Sequence, residues 1–176
     1  MNLHYFDFEP PPEWSGFRKG AQIRLIPPFT HPDDAKVAIV VSPLVPRSEA
    51  LPPAATLIQQ TLDAETALYA SRVRTQNGPM PTRSDHGLAG IYYDVVIDAG
   101  PASGPDGGAS IESATSDRRL YVMLVDELCY YGLSYIAQEA VFAEHVETFW
   151  RAVRTIKPFL GKIALPVGFP FDHFSE

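Results

Sequence analysis

The side chains that could carry out chemistry are few and scattered along the sequence. His31, Asp33 and Asp34 fall in one short segment, where an imidazole and two carboxylates could bind a metal ion or act as acid and base. The same pattern is typical of a turn in which an aspartate accepts hydrogen bonds from nearby backbone amides. The sequence favours the turn, and it leaves a small enzyme or metal-binding protein with a site near His31, Asp33 and Asp34 as an alternative function.

The other candidates for catalysis carry weaker signals. Cys129, the single cysteine of the sequence, lies between apolar and aromatic residues, which predicts a buried and unreactive thiol. His145 has no second histidine at the spacing of metal ligands. The Gly- and Pro-rich segment 99–117 lacks the Gly-Lys-Ser/Thr ending of a phosphate-binding loop. We therefore expect no enzymatic activity, no metal site and no cofactor.

Tyrosines are concentrated in the strands that the sequence predicts. Six of the eight tyrosines fall in the predicted strands of the second half: Tyr92, Tyr93, Tyr121, Tyr130, Tyr131 and Tyr135. Tyrosine combines a large apolar ring with a polar hydroxyl, which suits both the margin of a core and an interface. Core filling is the first interpretation. The second is that one sheet face, around Tyr121, Met123 and Tyr130, forms an apolar platform for a segment of a partner protein, with Met123 as an adaptable contact.

Composition limits the classes of function. The 176 residues include 14 Lys or Arg and 21 Asp or Glu, for a net charge of -7. Binding to nucleic-acid phosphates requires clustered basic residues, so we expect no nucleic-acid partner. No apolar stretch approaches the ~18 residues of a membrane-spanning helix. The first residues do not resemble a secretory signal, so a cytoplasmic location is expected unless a signal or lipoprotein leader has been removed.

The first half of the sequence predicts strands followed by a helix. Three strands are expected, over residues 1–9, 21–26 and 36–41. The third is an unbroken apolar run, which is typical of a central strand buried on both faces. Residues 13–20 are expected to form a loop. Apolar residues at helical spacing predict a helix over 54–74, entered through Pro52-Pro53 and ended by Asn77-Gly-Pro79.

The second half predicts three more strands and a helix. A loop over 78–87 leads to a strand over 88–98, and a long flexible loop over 99–117 follows. Strands over 119–125 and 128–136 are expected to form a hairpin, and apolar periodicity predicts a helix over 138–157. Residues 159–176 form a tail. We therefore predict one domain over 1–176, a three-layer α/β/α sandwich with a mostly antiparallel central sheet.

The turn of the hairpin determines which side chains share a face. A two-residue turn at Asp126-Glu127 would place Tyr121, Met123 and Tyr130 on the same face. A longer loop could shift the register by one residue and exchange the faces. The sequence leaves these two arrangements open.

The hairpin and the helix after it resemble the C-terminal half of PsbP-like domains. The similarity covers residues 88–158 and is carried by Arg119-Leu-Tyr-Val-Met-Leu124, by Tyr130-Tyr-Gly-Leu-Ser-Tyr-Ile-Ala137 and by the apolar helix positions from Phe142 to Ile156 before Pro158. This superfamily includes the DcrB family and the Eag chaperones of type VI secretion effectors. The resemblance implies the same fold, no enzymatic activity and a role in binding other proteins, which the Eag chaperones do through the sheet face.

The expected function is therefore a protein-binding adaptor that uses the tyrosine-rich face, and more narrowly a chaperone associated with a type VI secretion effector. The expected partners are a segment of a secreted protein and a second copy of the chain, as a homodimer. A small-molecule or lipid binder with a cavity between sheet and helix is a further alternative.

Overall fold

A single antiparallel sheet with a helix on each face organises the chain. The structure is a computed structural model that describes residues 4–48, 51–68, 71–98 and 116–160. Its elements are β1 (Ser15–Lys19), β2 (Gln22–Ile26), β3 (Val37–Val41), β4 (Val45–Pro46), α1 (Ala54–Leu68), β5 (Arg72–Arg83), β6 (Ala89–Asp98), β7 (Ser116–Val125), β8 (Cys129–Gln138) and α2 (Phe142–Arg154). The strand order is β1-β2-β3-β8-β7-β6-β5, and β4 pairs with the start of β8. Every pairing among the described strands is antiparallel.

Side chains alternate between the two faces of the sheet along each strand, and they pack into two separate cores. On one face, Ile58 and Leu62 of α1 pack on Tyr93, Val95 and Tyr121. On the other face, Leu133 and Tyr135 of β8 join a larger core with Phe149 and Val153 of α2. Because successive strand residues point to opposite faces, each helix covers its own side of the sheet. The predicted α/β/α sandwich with an antiparallel sheet is confirmed.

The aromatic residues of α2 fix that helix to the sheet. The Phe149 ring stacks on the Tyr135 ring with centroids 5.5 Å apart, and the Tyr135 hydroxyl donates to the Phe142 carbonyl at 2.9 Å. Burying one such apolar side chain contributes about 1.5–3 kcal/mol. Burial raises the pKa of Tyr135 to about 12, although a backbone hydrogen bond from His145 acts in the opposite direction. The phenol therefore stays protonated at neutral pH and continues to donate.

The first half of the chain departs from prediction at two places. Residues 4–9 of the expected strand form no ladder, although Tyr5, Phe6 and Phe8 are buried; the first three residues lie outside the described part. The expected loop over 13–20 contains strand β1, which forms a hairpin with β2. Gly20 in the turn has φ 61°, a conformation that glycine adopts without steric cost. The strands predicted over 21–26 and 36–41 are confirmed, and all five residues of β3 are buried.

The predicted helix over 54–74 is too long, and the predicted loop over 78–87 is partly wrong. Helix α1 ends at Leu68, and residues 72–83 form the edge strand β5. The Asn77-Gly-Pro79 segment lies inside this strand, where the register with β6 shifts. An edge strand tolerates proline because one side of its backbone has no ladder to complete. Pairing with the well-patterned β6 has therefore outweighed the local turn signal.

The hairpin of β7 and β8 has a two-residue turn, but the turn lies one residue later than expected. The side chains still share the faces that the two-residue turn predicted. Val125 pairs with Tyr130 and Tyr121 with Ser134, so Glu127-Leu128 form the turn. Asp126 selects this turn because its Oδ1 accepts hydrogen bonds from the amides of Leu128, at 2.8 Å, and Cys129, at 2.7 Å. The pairing is shifted by two residues from the expected one. An even shift preserves the faces, so Tyr121, Met123 and Tyr130 share one face.

The remaining predictions concern the loop, the last helix and the tail. Helix α2 covers 142–154 of the predicted 138–157, after a 3-10 turn over Glu139–Val141. Ser116 and Asp117 of the predicted loop belong to β7, whereas 99–115 and the tail residues 161–176 lie outside the described part. Within the described part, no helix is both long and apolar enough to cross a membrane.

Candidate partner-binding site

The predicted platform residues share a face, but the two tyrosines are covered. Tyr121 is 3% and Tyr130 is 6% exposed, whereas Met123 is half-buried. Helix α1 covers Tyr121. The Arg47 guanidinium lies 5.9 Å from the centroid of the Tyr130 ring, whose hydroxyl reaches the Pro52 carbonyl at 3.4 Å. The prediction of an exposed platform is therefore wrong for both tyrosines, and the binding role of the three residues stays a prediction.

A charged cluster joins α1 to β7 beside this face. Glu65 Oε2 accepts hydrogen bonds from Arg119 Nη1 and from the Tyr121 hydroxyl, each at 2.6 Å. Arg119 also contacts Asp117 at 3.2 Å, and its side chain is only 13% exposed. Burial raises the pKa of Tyr121, so its phenol remains a donor to the carboxylate. Within this cluster, Arg119 Nε is buried and has no hydrogen-bond partner among the described residues.

The same face of the sheet continues beyond α1 over β8, β3 and β2. Cross-strand pairing places Tyr121 beside Ser134, Ser134 beside Val40 and Val40 beside Arg24. In the next row, Arg119 pairs with Ile136 and Ile136 with Ala38. We call the floor formed by Ala38, Val40, Ser134 and Ile136 the β3–β8 strip. Among the described elements, α1 packs mainly on β5, β6 and β7, and α2 packs on β3 and β8 from the opposite side. Ala38 and Val40 are buried, with 7% and 3% exposure, whereas Ser134 and Ile136 are half-buried, so the accessible part of the strip lies over β8.

Two arginines flank the β3–β8 strip. Arg24 on β2 lies at one side and Arg119 on β7 at the other. Like Arg119, Arg24 has a buried Nε without a hydrogen-bond partner in the described part of the chain. Three strand spacings separate β2 from β7, which is about 14 Å. An α-helix with its side chains is about 10–12 Å across, so one helix fits between the arginines. Sequence reasoning missed Arg24 because a single arginine in an alternating strand gives no signal.

The segment at His31 forms the predicted turn, but the histidine ring, and not an aspartate as predicted, accepts the backbone hydrogen bond. Residues Pro32–Asp34 form a 3-10 turn, and His31 Nδ1 accepts a hydrogen bond from the Asp33 amide at 3.3 Å. The His31 and Asp33 side chains are 65% and 90% exposed. In the ranges that the structure describes, no group of three or more His, Cys, Asp or Glu side chains could hold a metal ion. The closest pair of such groups in the turn is His31 Nδ1 and Asp33 Oδ2, 3.6 Å apart and open to solvent.

A groove lies next to this turn, between the β2–β3 connection and the start of α2. Its volume is about 240 Å³, and its lining consists of Pro27, Thr30, Asp34, Lys36, Val37, Val141, Glu144 and His145. The His145 ring packs edge-on against Trp14, with centroids 5.4 Å apart. Phe29, between the lining residues Pro27 and Thr30, is fully exposed. The sequence pointed to Asp34 and to His145 separately, but not to their shared groove.

Cys129 has the setting that its sequence context predicts. The side chain is 5% exposed in the larger core. Burial raises the pKa of the thiol, and the nearby Asp126 carboxylate adds to the increase. A protonated, buried thiol is a poor nucleophile, so the predicted buried thiol is confirmed.

Comparisons with known proteins give similarity in fold. No family model and no curated protein matches the chain. LpqN of Mycobacterium tuberculosis, a protein involved in cell envelope biogenesis, has a similar structure with a TM-score of 0.53 and 14% identity over 87% of this chain and 83% of its own. At this identity, the likeness to LpqN establishes the fold alone.

Two other solved structures are less similar. A Bacteroides thetaiotaomicron protein has a TM-score of 0.49 at 12% identity, over 90% of this chain and 47% of its own, so the chain spans about half of its length. PA94 of Pseudomonas aeruginosa, of unknown function, has a TM-score of 0.45 at 14% identity, over 84% of this chain and 98% of its own. These two scores are too low to support a functional inference.

Proposed function

We propose that this protein is a non-enzymatic protein-binding domain that holds an apolar helical segment of a partner on the β3–β8 strip. The observation that supports the proposal is the pair of buried Nε–H groups on Arg24 and Arg119, which flank the strip and have no partner among the described residues. A buried donor without an acceptor costs about 1–3 kcal/mol. Both Nε atoms are shielded in the free chain, so the proposal requires the arginine side chains to rotate toward the occupant, whose oxygen atoms then remove this cost.

The shape and the charge of the strip specify the occupant. Ser134 and Ile136 are half-buried, and the small Ser134 side chain leaves room for a side chain of a partner above β8. Arginine prefers carboxylate acceptors because the guanidinium can donate two parallel hydrogen bonds. We therefore expect a helix with an apolar face and with acidic residues at the margins of that face. A segment of a secreted effector is the narrower form of this proposal, and it rests on the resemblance of the hairpin to PsbP-like domains.

Site-specific crosslinking tests the position of the occupant. A photoreactive amino acid at Ser134, on the strip, is expected to capture one segment of one protein in cells that make this chain. The same group at Thr75, an exposed position on the edge strand β5, is the control and is expected to capture none. Identical products from the two positions would contradict binding at the strip.

A binding measurement with the captured segment, made as a peptide, tests the chemistry. Arg24→Ala removes a hydrogen bond to a charged group, worth about 1.5–3 kcal/mol, so the dissociation constant is expected to rise about 10- to 100-fold. Arg18→Ala is the matched control, because Arg18 is exposed and lies on the opposite face of the neighbouring strand. Equal affinities of wild type and Arg24→Ala, with unchanged melting temperatures, would refute the assignment.

A further inference from the structure

Phe29 is the most exposed large apolar side chain among the described residues. Its backbone has φ 60°, in the left-handed region that a bulky residue seldom occupies. Within the turn, the Thr30 hydroxyl donates only a weak hydrogen bond to the Pro28 carbonyl, at 3.4 Å. The ring is therefore presented to solvent by an unusual backbone conformation, and such conformations are concentrated at contact and ligand sites.

The groove beside Phe29 has the size and lining to receive one aromatic ring. Its volume of about 240 Å³ is smaller than that of pockets for drug-sized ligands, which measure roughly 300–1,000 Å³. Pro27, Val37 and Val141 supply apolar lining. The sequence neighbours of Phe29 at positions 27 and 30 line the groove, so the protruding ring and the recess belong to one continuous patch.

We propose that this patch forms a two-fold symmetric homodimer in which Phe29 of each copy inserts into the groove of the other. A two-fold interface requires a self-complementary surface, and a ring next to a recess provides one. The charges of the groove are also self-complementary, because Asp34 and Glu144 can face Lys36 of the second copy. A groove with charges of one sign would repel its own copy. This surface is separate from the β3–β8 strip, so the dimer does not depend on the function proposed above.

Sedimentation equilibrium of the purified chain tests the dimer. Phe29→Asn removes the ring and suits the backbone, since asparagine tolerates positive φ. Two ring insertions are lost, so the dissociation constant of the dimer is expected to rise at least about 100-fold, and circular dichroism checks that the fold is retained. Leu68→Ala, at an exposed leucine away from the patch, is the control and is expected to leave the dissociation constant unchanged. A wild type that remains monomeric at millimolar concentration, or a dimer unaffected by Phe29→Asn, would overturn the proposal.

A mixing experiment tests the reciprocal insertion itself. Val141→Trp is designed to fill the groove, and circular dichroism checks that the variant folds. Each variant alone loses both insertions. A mixture of Phe29→Asn and Val141→Trp retains one insertion, from the intact Phe29 into the intact groove, so a heterodimer of intermediate affinity is expected. A mixture that shows no heterodimer would exclude the two-fold exchange and leave the dimer to another surface.

Discussion

The hydroxyl of Tyr131 connects the β7–β8 turn to the segment after α2, and its removal should destabilise the fold. Tyr131 is completely buried, and its hydroxyl donates to Asp126 Oδ2 at 2.5 Å. The same hydroxyl accepts a hydrogen bond from the Phe159 amide at 2.7 Å. Burial is the main cause of a raised pKa of Tyr131, and the hydrogen bond to Asp126 is the second cause. The phenol therefore stays protonated and donates across the neutral range. Tyr131→Phe removes this connection and keeps the ring.

The expected loss of stability can be worked from these contacts. A hydrogen bond to a charged acceptor contributes about 1.5–3 kcal/mol, and loss of the bond to the Phe159 amide adds a smaller cost because this residue is half-buried. We expect Tyr131→Phe to lower the free energy of unfolding by about 2–4 kcal/mol. For a chain of this size, one kcal/mol lowers the melting temperature by roughly 2–4 °C, so a decrease of about 4–16 °C is expected.

Urea unfolding followed by circular dichroism measures the effect, and the neighbouring tyrosine supplies a matched control. Tyr130 is also buried and has the same ring, but its hydroxyl is 3.4 Å from its acceptor, which is a weak hydrogen bond. We expect Tyr130→Phe to change the free energy of unfolding by less than about 0.5 kcal/mol. A Tyr131→Phe variant as stable as wild type, or equal losses in the two variants, would refute the role assigned to the Asp126 contact.

Two further predictions concern titratable groups. Burial raises the pKa of the Cys129 thiol, so native protein at pH 8 should react with iodoacetamide on the order of 100-fold more slowly than unfolded protein, because reaction requires local opening; mass spectrometry follows the rate, and similar rates would contradict the burial. Because this pKa is raised, its contribution to stability is present below the unfolded pKa and is lost as the pH rises through the folded pKa. Hydrogen bonds from Ser116 and then from Arg74 lower the pKa of Glu139, so its contribution is present above the ordinary value of 4.5 and lost as the pH falls through the folded pKa. The melting temperature of Glu139→Gln should therefore lie below that of wild type at pH 6 and approach it at pH 3, and a constant difference would show that the carboxylate is not involved.

The alternation of apolar side chains was a reliable guide where it was strong. In β6, β7 and β8 it predicted the strands and the two helix-covered layers, because each face must bury its own apolar set. It left the register of the β7–β8 hairpin open, and the Glu127-Leu128 turn determines that register. It failed for β1 and β5, whose residues have little apolar alternation and are ordered by pairing with a neighbouring strand. It also failed for residues 4–9, which bury three aromatic rings without forming a ladder. Burial and backbone pairing are separate requirements, and the sequence pattern reports mainly the first.

The position of the proposed binding surface follows from the order of the strands in the sheet. The alternation of apolar residues in the sequence does not predict this order. The chain leaves β4 beside β8 and must reach β5 at the far edge of the sheet, beyond β7 and β6. Helix α1 makes this connection, so it has to cross β7 and β6, and it covers Tyr121 on the way. The crossover starts at β4, beside β8, and runs away from β3. The β3–β8 strip is therefore not on its path. One of the two predicted arrangements grouped Tyr121, Met123 and Tyr130 on one face, as observed, but α1 covers Tyr121. The topology moves the candidate surface to Ser134, one strand away on β8, beside Val40 on β3.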